Sequence, residues 1–130
     1  MSSRVAAIIA AIAGMLAVAL GAFAAHALRE QLSEEHLVTW RTAVDYQFWH
    51  GLALFGLSIW MRQLSISARP QRLPVTVAAI AFAVGMLFFC GSLYALALGA
   101  PREFGIITPF GGAAFVIGWL SMLVAAWRER

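Results

Sequence analysis

The sequence predicts an all-α polytopic membrane protein, a single four-transmembrane-helix bundle with both termini on the cytoplasmic side. Three observations carry that reading. Of its 130 residues, 62% are hydrophobic and only 12% charged, with a mean hydropathy of +0.84, whereas about a quarter of a soluble domain is charged. The apolar residues are gathered into four helix-length runs, and only helices or closed barrels satisfy their own backbone in lipid. The basic residues are all arginine and cluster at alternate ends of those runs.

A hydrocarbon layer of about 30 Å takes about 20 helical residues to cross. That places spans at 5–28, 43–61, 74–98 and 109–127 and makes residues 1–130 one transmembrane domain. The first span ends in small residues that resemble a signal cleavage site, Ala22-Phe23-Ala24 and Ala25-His26-Ala27. Its apolar run exceeds the roughly 7 to 15 residues of a signal core, so it is expected to stay as a helix. Before the second span, Ser33 followed by Glu34 and Glu35 reads as an N-cap with acids in the first turn. A helix running unbroken from there to Met61 would be about 42 Å long, more than the membrane core, so part of it must project or lie flat.

The third span is followed by a turn at Gly99-Ala-Pro-Arg-Glu103, and the fourth opens with Thr108 as cap and Pro109 at the first helical position. Small residues at Ala10, Gly14, Ala17, Gly21 and Ala25, and at Gly91, Ala95 and Gly99, read as contact seams. Trp40, Trp49, Trp60 and Trp127 fit interfacial belts, while Trp119 lies mid-span, where its indole N–H needs a partner inside the bundle. The segments GAFAAHALRE (21–30) and GSLYALALGAPRE (91–103) share a small-residue start, Ala-x-Ala-Leu and a closing Arg-Glu. A duplicated two-helix hairpin would produce that likeness.

Orientation follows from arginine. Arg4, Arg62, Arg69, Arg72, Arg128 and Arg130 fall at one end, against Arg29, Arg41 and Arg102 at the other. The positive-inside rule makes the first group cytoplasmic, in a bacterial inner membrane. The formal charge of +3 and a pI near 10.0 therefore describe a polarised membrane protein and not a nucleic-acid binder. The 62–73 loop is placed against anionic lipid headgroups. Cys90 is the single cysteine, which excludes an intrachain disulfide, a CxxC redox pair and a dithiol oxidase of the quinone-linked kind.

Polar residues retained at membrane depth carry the functional argument, since each costs a few kcal/mol in lipid unless it turns inward. They are His26, Tyr46, Gln47, His50, Ser92, Tyr94 and Thr108, all toward one end of the bundle. At about 100° per residue, Tyr46 and His50 share a face of the second span, while Asp45 lies roughly 140° from His50. Arg41 and Asp45 are spaced for a structural ion pair. His26 and His50 reach similar depth on neighbouring helices, so two imidazoles are candidate metal or haem ligands or proton carriers. Each imidazole is equally served by a hydrogen bond to a carbonyl or a hydroxyl.

GAFAAHAL at 21–28, Tyr46-Gln47 with His50, Gly91-Ser92-Leu93-Tyr94, and Thr108-Pro109-Phe110-Gly111-Gly112 with Gly118-Trp119 resemble, in order and spacing, the YgdD/YwdK-like family of small bacterial inner-membrane proteins. The resemblance covers nearly the whole chain. It implies a four-helix membrane protein from a domain family of unknown function. Its recurring polar positions map onto His26, Tyr46, Gln47, His50, Ser92, Tyr94 and Thr108. Ala24 stands where many relatives carry glycine.

The leading expectation is a non-enzymatic, homo-oligomeric membrane protein with an outer-leaflet polar pocket around His26, Tyr46 and His50 for a small ligand, lipid or ion. No cofactor is named by the residues. The alternatives are a proton- or ion-coupled transporter, disfavoured by the lack of a mid-membrane acid, and a haem- or metal-linked redox subunit using the two histidines. No nucleophile and base stand at a spacing that would support hydrolysis.

Overall fold

The computed structural model describes residues 1–67 and 72–128, with the Arg72 side chain left aside. Residues 68–71, 129 and 130 lie outside it, so Arg69, Arg130 and the middle of the proposed headgroup-facing 62–73 loop are outside the described residues. The chain forms α1 (Ser3–His26), α2 (Glu34–Ile66), α3 (Arg72–Gly85), a π-helical turn (Met86–Cys90), α4 (Gly91–Ala97), a 3-10 turn (Arg102–Ile106) and α5 (Ile107–Arg128). The third membrane segment is thus α3, the π turn and α4 in succession.

Local chemistry sets the ends. Ser33 caps α2, its Oγ accepting from the His36 N–H at 3.2 Å. Ser2 does the same for α1, accepting from Val5 N–H at 3.3 Å. The helix begun at Ser33 runs on to Ile66, 33 residues or about 50 Å at 1.5 Å each, so α2 overshoots the hydrocarbon further than expected. After α4, Gly99 adopts φ 89°, a left-handed turn that glycine makes without steric cost. The fourth span does not open at Thr108: a 3-10 turn begins after Pro101 and merges into α5 at Ile107. Pro109 then sits within the first helical turn, where its missing N–H has no intrahelical partner to lose. Thr108 is left free to bond sideways.

α2 is the centre of the molecule. It packs against α1 on one side and against α3, the π turn and α4 on the other, while α5 packs on α3 and the π turn. Three helical stretches, Ser3–His26, Leu73–Ala97 and Arg102–Arg128, are long and apolar enough to cross a membrane. α2 completes the quartet although it is less apolar, because its polar side chains Gln47, His50 and Ser58 are buried inward. The outer surface is correspondingly oily: Val18, Leu52, Leu87, Val116 and Leu123 are all more than half exposed, as a lipid-facing surface requires and a soluble monomer avoids.

Two kinds of seam hold the helices. α1 meets α2 through Ala6, Ala10, Ala13 and Ala17, all buried, and an ideal Cβ on Gly51 would lie 3.4 Å from Ala13 Cβ. The expected stripe holds at Ala10, Ala17 and Gly21, where an added Cβ would lie 3.4 Å from the Val44 side chain, and fails at Ala25, which is exposed, and at Gly14, which has open space beside it. The third segment meets α5 by large side chains set over glycines. A Cβ on Gly118 would collide with the Phe82 ring, one on Gly85 with the Phe115 ring, and one on Gly111 with the Phe89 backbone. These three pairs, together with Ser92 and Thr108, are all symmetric about residue 100, the register of an antiparallel hairpin. Gly91 and Gly99 take no part; neither has an atom within 4 Å of an added Cβ.

Candidate functional site

α2 sends its two buried polar groups to opposite sides. Gln47 turns toward α1 and α4: its Nε2 donates to the Ala13 carbonyl at 2.9 Å, and its Oε1 accepts from the Tyr94 hydroxyl at 2.9 Å. The alanine seam makes this possible, because only a close helix approach lets an amide reach a carbonyl of the neighbouring backbone. Tyr94 is also covered edge-on by Trp40, with ring centroids 4.7 Å apart. Trp40 itself is 3% exposed and donates its indole N–H to the Leu20 carbonyl at 3.0 Å. It is not an interfacial belt residue, because the α1–α2 contact closes over it. The two similar sequence segments meet here, Ala24, Leu28 and Ala97 packing in one small core with Leu37 and Trp40.

His50 turns toward α5. Its Nδ1 lies 2.7 Å from the Tyr46 carbonyl and its Nε2 is 3.2 Å from the Trp119 indole N–H. A carbonyl only accepts and an indole only donates, so the two bonds together select the neutral imidazole with its proton on Nδ1. The ring stacks on Phe115 at 3.6 Å and 12°, with Phe82 edge-on at 5.4 Å. Tyr46 continues the stack onto Phe89 at 4.6 Å. Trp119 thus has the intrabundle partner that its mid-span position demanded.

Ser92 and Thr108 join the third segment to α5. Their hydroxyls are 2.7 Å apart, and Ser92 also donates to the Phe89 carbonyl inside the π turn at 3.0 Å. A π turn adds one residue per turn and is frequent where a helix must reshape around a site. Here it brings the Phe89 backbone against Gly111.

The structure therefore gathers Gln47 with Tyr94, Tyr46 with His50, and Ser92 with Thr108, as three separate contacts. His26 joins none of them. It lies exposed in the last turn of α1, and no hydrogen bond or ring contact ties it to His50 among the described residues. The expected polar pocket around His26, Tyr46 and His50 is corrected accordingly: Phe82 and Phe115 pack on the His50 ring, and Phe89 on the Tyr46 ring. Both His50 nitrogens are engaged by protein partners, neither of them His26, and no cluster of three metal-ligating side chains exists among the described residues. Arg41 and Asp45 stay exposed on α2 and form no ion pair with each other among the described residues.

The open space lies elsewhere. A groove of about 370 Å³ runs between α1 and the third segment, opening sideways, with Ile12, Leu16 and Leu87 among its walls and Gln47, Cys90 and Tyr94 beside them. It exists because α1 packs on α2 and scarcely on the third segment. Sequence reasoning had Gln47 and Tyr94 but not the groove. The phenylalanines around His50 were also missed, although Phe82, Phe89 and Phe115 facing Gly118, Gly111 and Gly85 form a large-to-small pattern that is readable once antiparallel register is assumed.

Residues 20–112 match the family described as a protein of unknown function, DUF423. The chain is 40% identical over 131 residues to the UPF0382 inner membrane protein YgdD of Escherichia coli K12, covering 100% of this chain and 95% of that one. It is 40% identical over 119 residues to the UPF0382 membrane protein YwdK of Bacillus subtilis 168, covering 92% and 93%. A UPF0382 membrane protein of Staphylococcus epidermidis is 41% identical over 118 residues, covering 91% of each chain. No solved structure matches. With both the family match and these near full-length likenesses, the chain belongs to the DUF423 family of small membrane proteins.

Proposed function

We propose that the chain is a non-enzymatic inner-membrane protein whose working element is the lateral groove, which receives the apolar chain of a lipid-soluble molecule from the bilayer. The supporting observation is the groove itself: about 370 Å³ of space open toward lipid, walled by α1 and the third segment, beside the buried Gln47 and Tyr94. The polar residues along its depth are hydrogen-bonded to helix backbone and to each other, which suits a binding surface and supplies no activated nucleophile. Both termini are placed in the cytoplasm on the arginine bias, testable with reporter fusions at the C-terminus. A photoactivatable phospholipid with a diazirine in its acyl chain tests the groove. In vesicles of phosphatidylethanolamine and phosphatidylglycerol, label is expected to concentrate on Ile12, Leu16 and Leu87 over Val116 and Leu52, which are exposed outside the groove. Uniform labelling of all five would overturn the reading.

A further inference from the structure

Gln47 is 7% exposed and uses one amide hydrogen on Ala13 and one carbonyl lone pair on Tyr94. A glutamine amide has two hydrogens and two lone pairs. The second N–H has no protein partner among the described residues, and the amide borders the groove. Swapping the amide's oxygen and nitrogen does not remove the problem, since Ala13 offers only an acceptor. In hydrocarbon an unmade hydrogen bond of this kind is costly, so the position favours an occupant that brings an acceptor.

Depth decides what kind. Ala13, to which Gln47 is tied, is the eleventh residue of the 24-residue α1, about 15 Å from its first residue and about 20 Å from its last at 1.5 Å per residue. The ester carbonyls of a phospholipid sit at the edges of a layer about 30 Å thick, too far away to reach it. A charged headgroup is disfavoured at that depth. Resting on the groove reading, we infer that the groove takes an uncharged, lipid-soluble carbonyl compound of the isoprenoid quinone class, its ring oxygen accepting from the free Gln47 N–H and its tail lying between α1 and the third segment.

The test compares two probes with the same tail, decylubiquinone and decylbenzene, titrated into the full-length protein in nanodiscs by intrinsic tryptophan fluorescence and by calorimetry. Wild type should bind decylubiquinone about three- to tenfold more tightly, the worth of one such hydrogen bond. Gln47→Leu should erase that preference and leave decylbenzene binding in place. Gly91→Phe, which fills the groove where an added Cβ meets nothing within 4 Å, should abolish both. Equal affinity of the two probes in wild type overturns the carbonyl assignment and leaves the groove standing. Binding of neither probe, or binding of both that survives Gly91→Phe, overturns the groove reading and this inference with it. The wild-type comparison and Gly91→Phe keep the outcome decisive even if Gln47→Leu does not fold.

Discussion

Gln47 and His50 are three residues apart on one helix, yet they live in opposite surroundings. His50 is closed in by aromatic rings and has both nitrogens bonded. Gln47 is bonded on one side and borders open space on the other. From composition alone the histidine is the stronger functional suspect, because imidazole does more chemistry than an amide. Packing reverses the ranking. A side chain is available for binding when its hydrogen-bonding capacity exceeds what its neighbours consume, and here that is true of the amide.

The contrast can be broken at its support. Gly111→Ala, on the His50 side, drives a methyl into the Phe89 backbone at the π turn; backbone cannot step aside cheaply, so a loss of about 3 kcal/mol or more is expected in thermal melts or denaturant titrations in detergent. Gly91→Ala, on the groove side, should stay within about 0.5 kcal/mol of wild type. His50→Leu should cost about 1–3 kcal/mol, since it removes the Phe115 stack and leaves the Trp119 N–H without its acceptor. A double-mutant cycle with Trp119→Phe should recover part of that cost, and zinc or a chelator should leave the wild-type melting temperature where it was. Tyr94→Phe, losing one interhelical bond to Gln47, should cost only about 0.6 kcal/mol, typical of such bonds in membranes. His26→Ala, on an exposed turn, should fall within about 0.5 kcal/mol of wild type.

Much of the fold was legible because lipid imposes strict rules. Four apolar runs gave four helical segments, Ser33 announced the start of α2, and mid-span Trp119 required an inward partner. The illegible part depended on rotation about helix axes. A shift of one position separates Ala13, which is buried, from Gly14, which has open space beside it, and both are small. The π turn shifts register within the third segment, so 100° arithmetic from Arg72 misplaces the side chains of α4. Trp40 was misread because an aromatic near a span end is equally at home at an interface or under a neighbouring helix. His26 was grouped with His50 on depth alone, and depth says nothing of azimuth.

The claim that the open flank and not the histidine flank binds is tested most directly by native mass spectrometry of the protein released from its own membranes, wild type beside Gly91→Phe and His50→Leu. A lipid-soluble adduct should appear on wild type, persist on folded His50→Leu and vanish from Gly91→Phe. An adduct that persists on Gly91→Phe and disappears with His50→Leu would place binding on the other side of α2 and contradict the account.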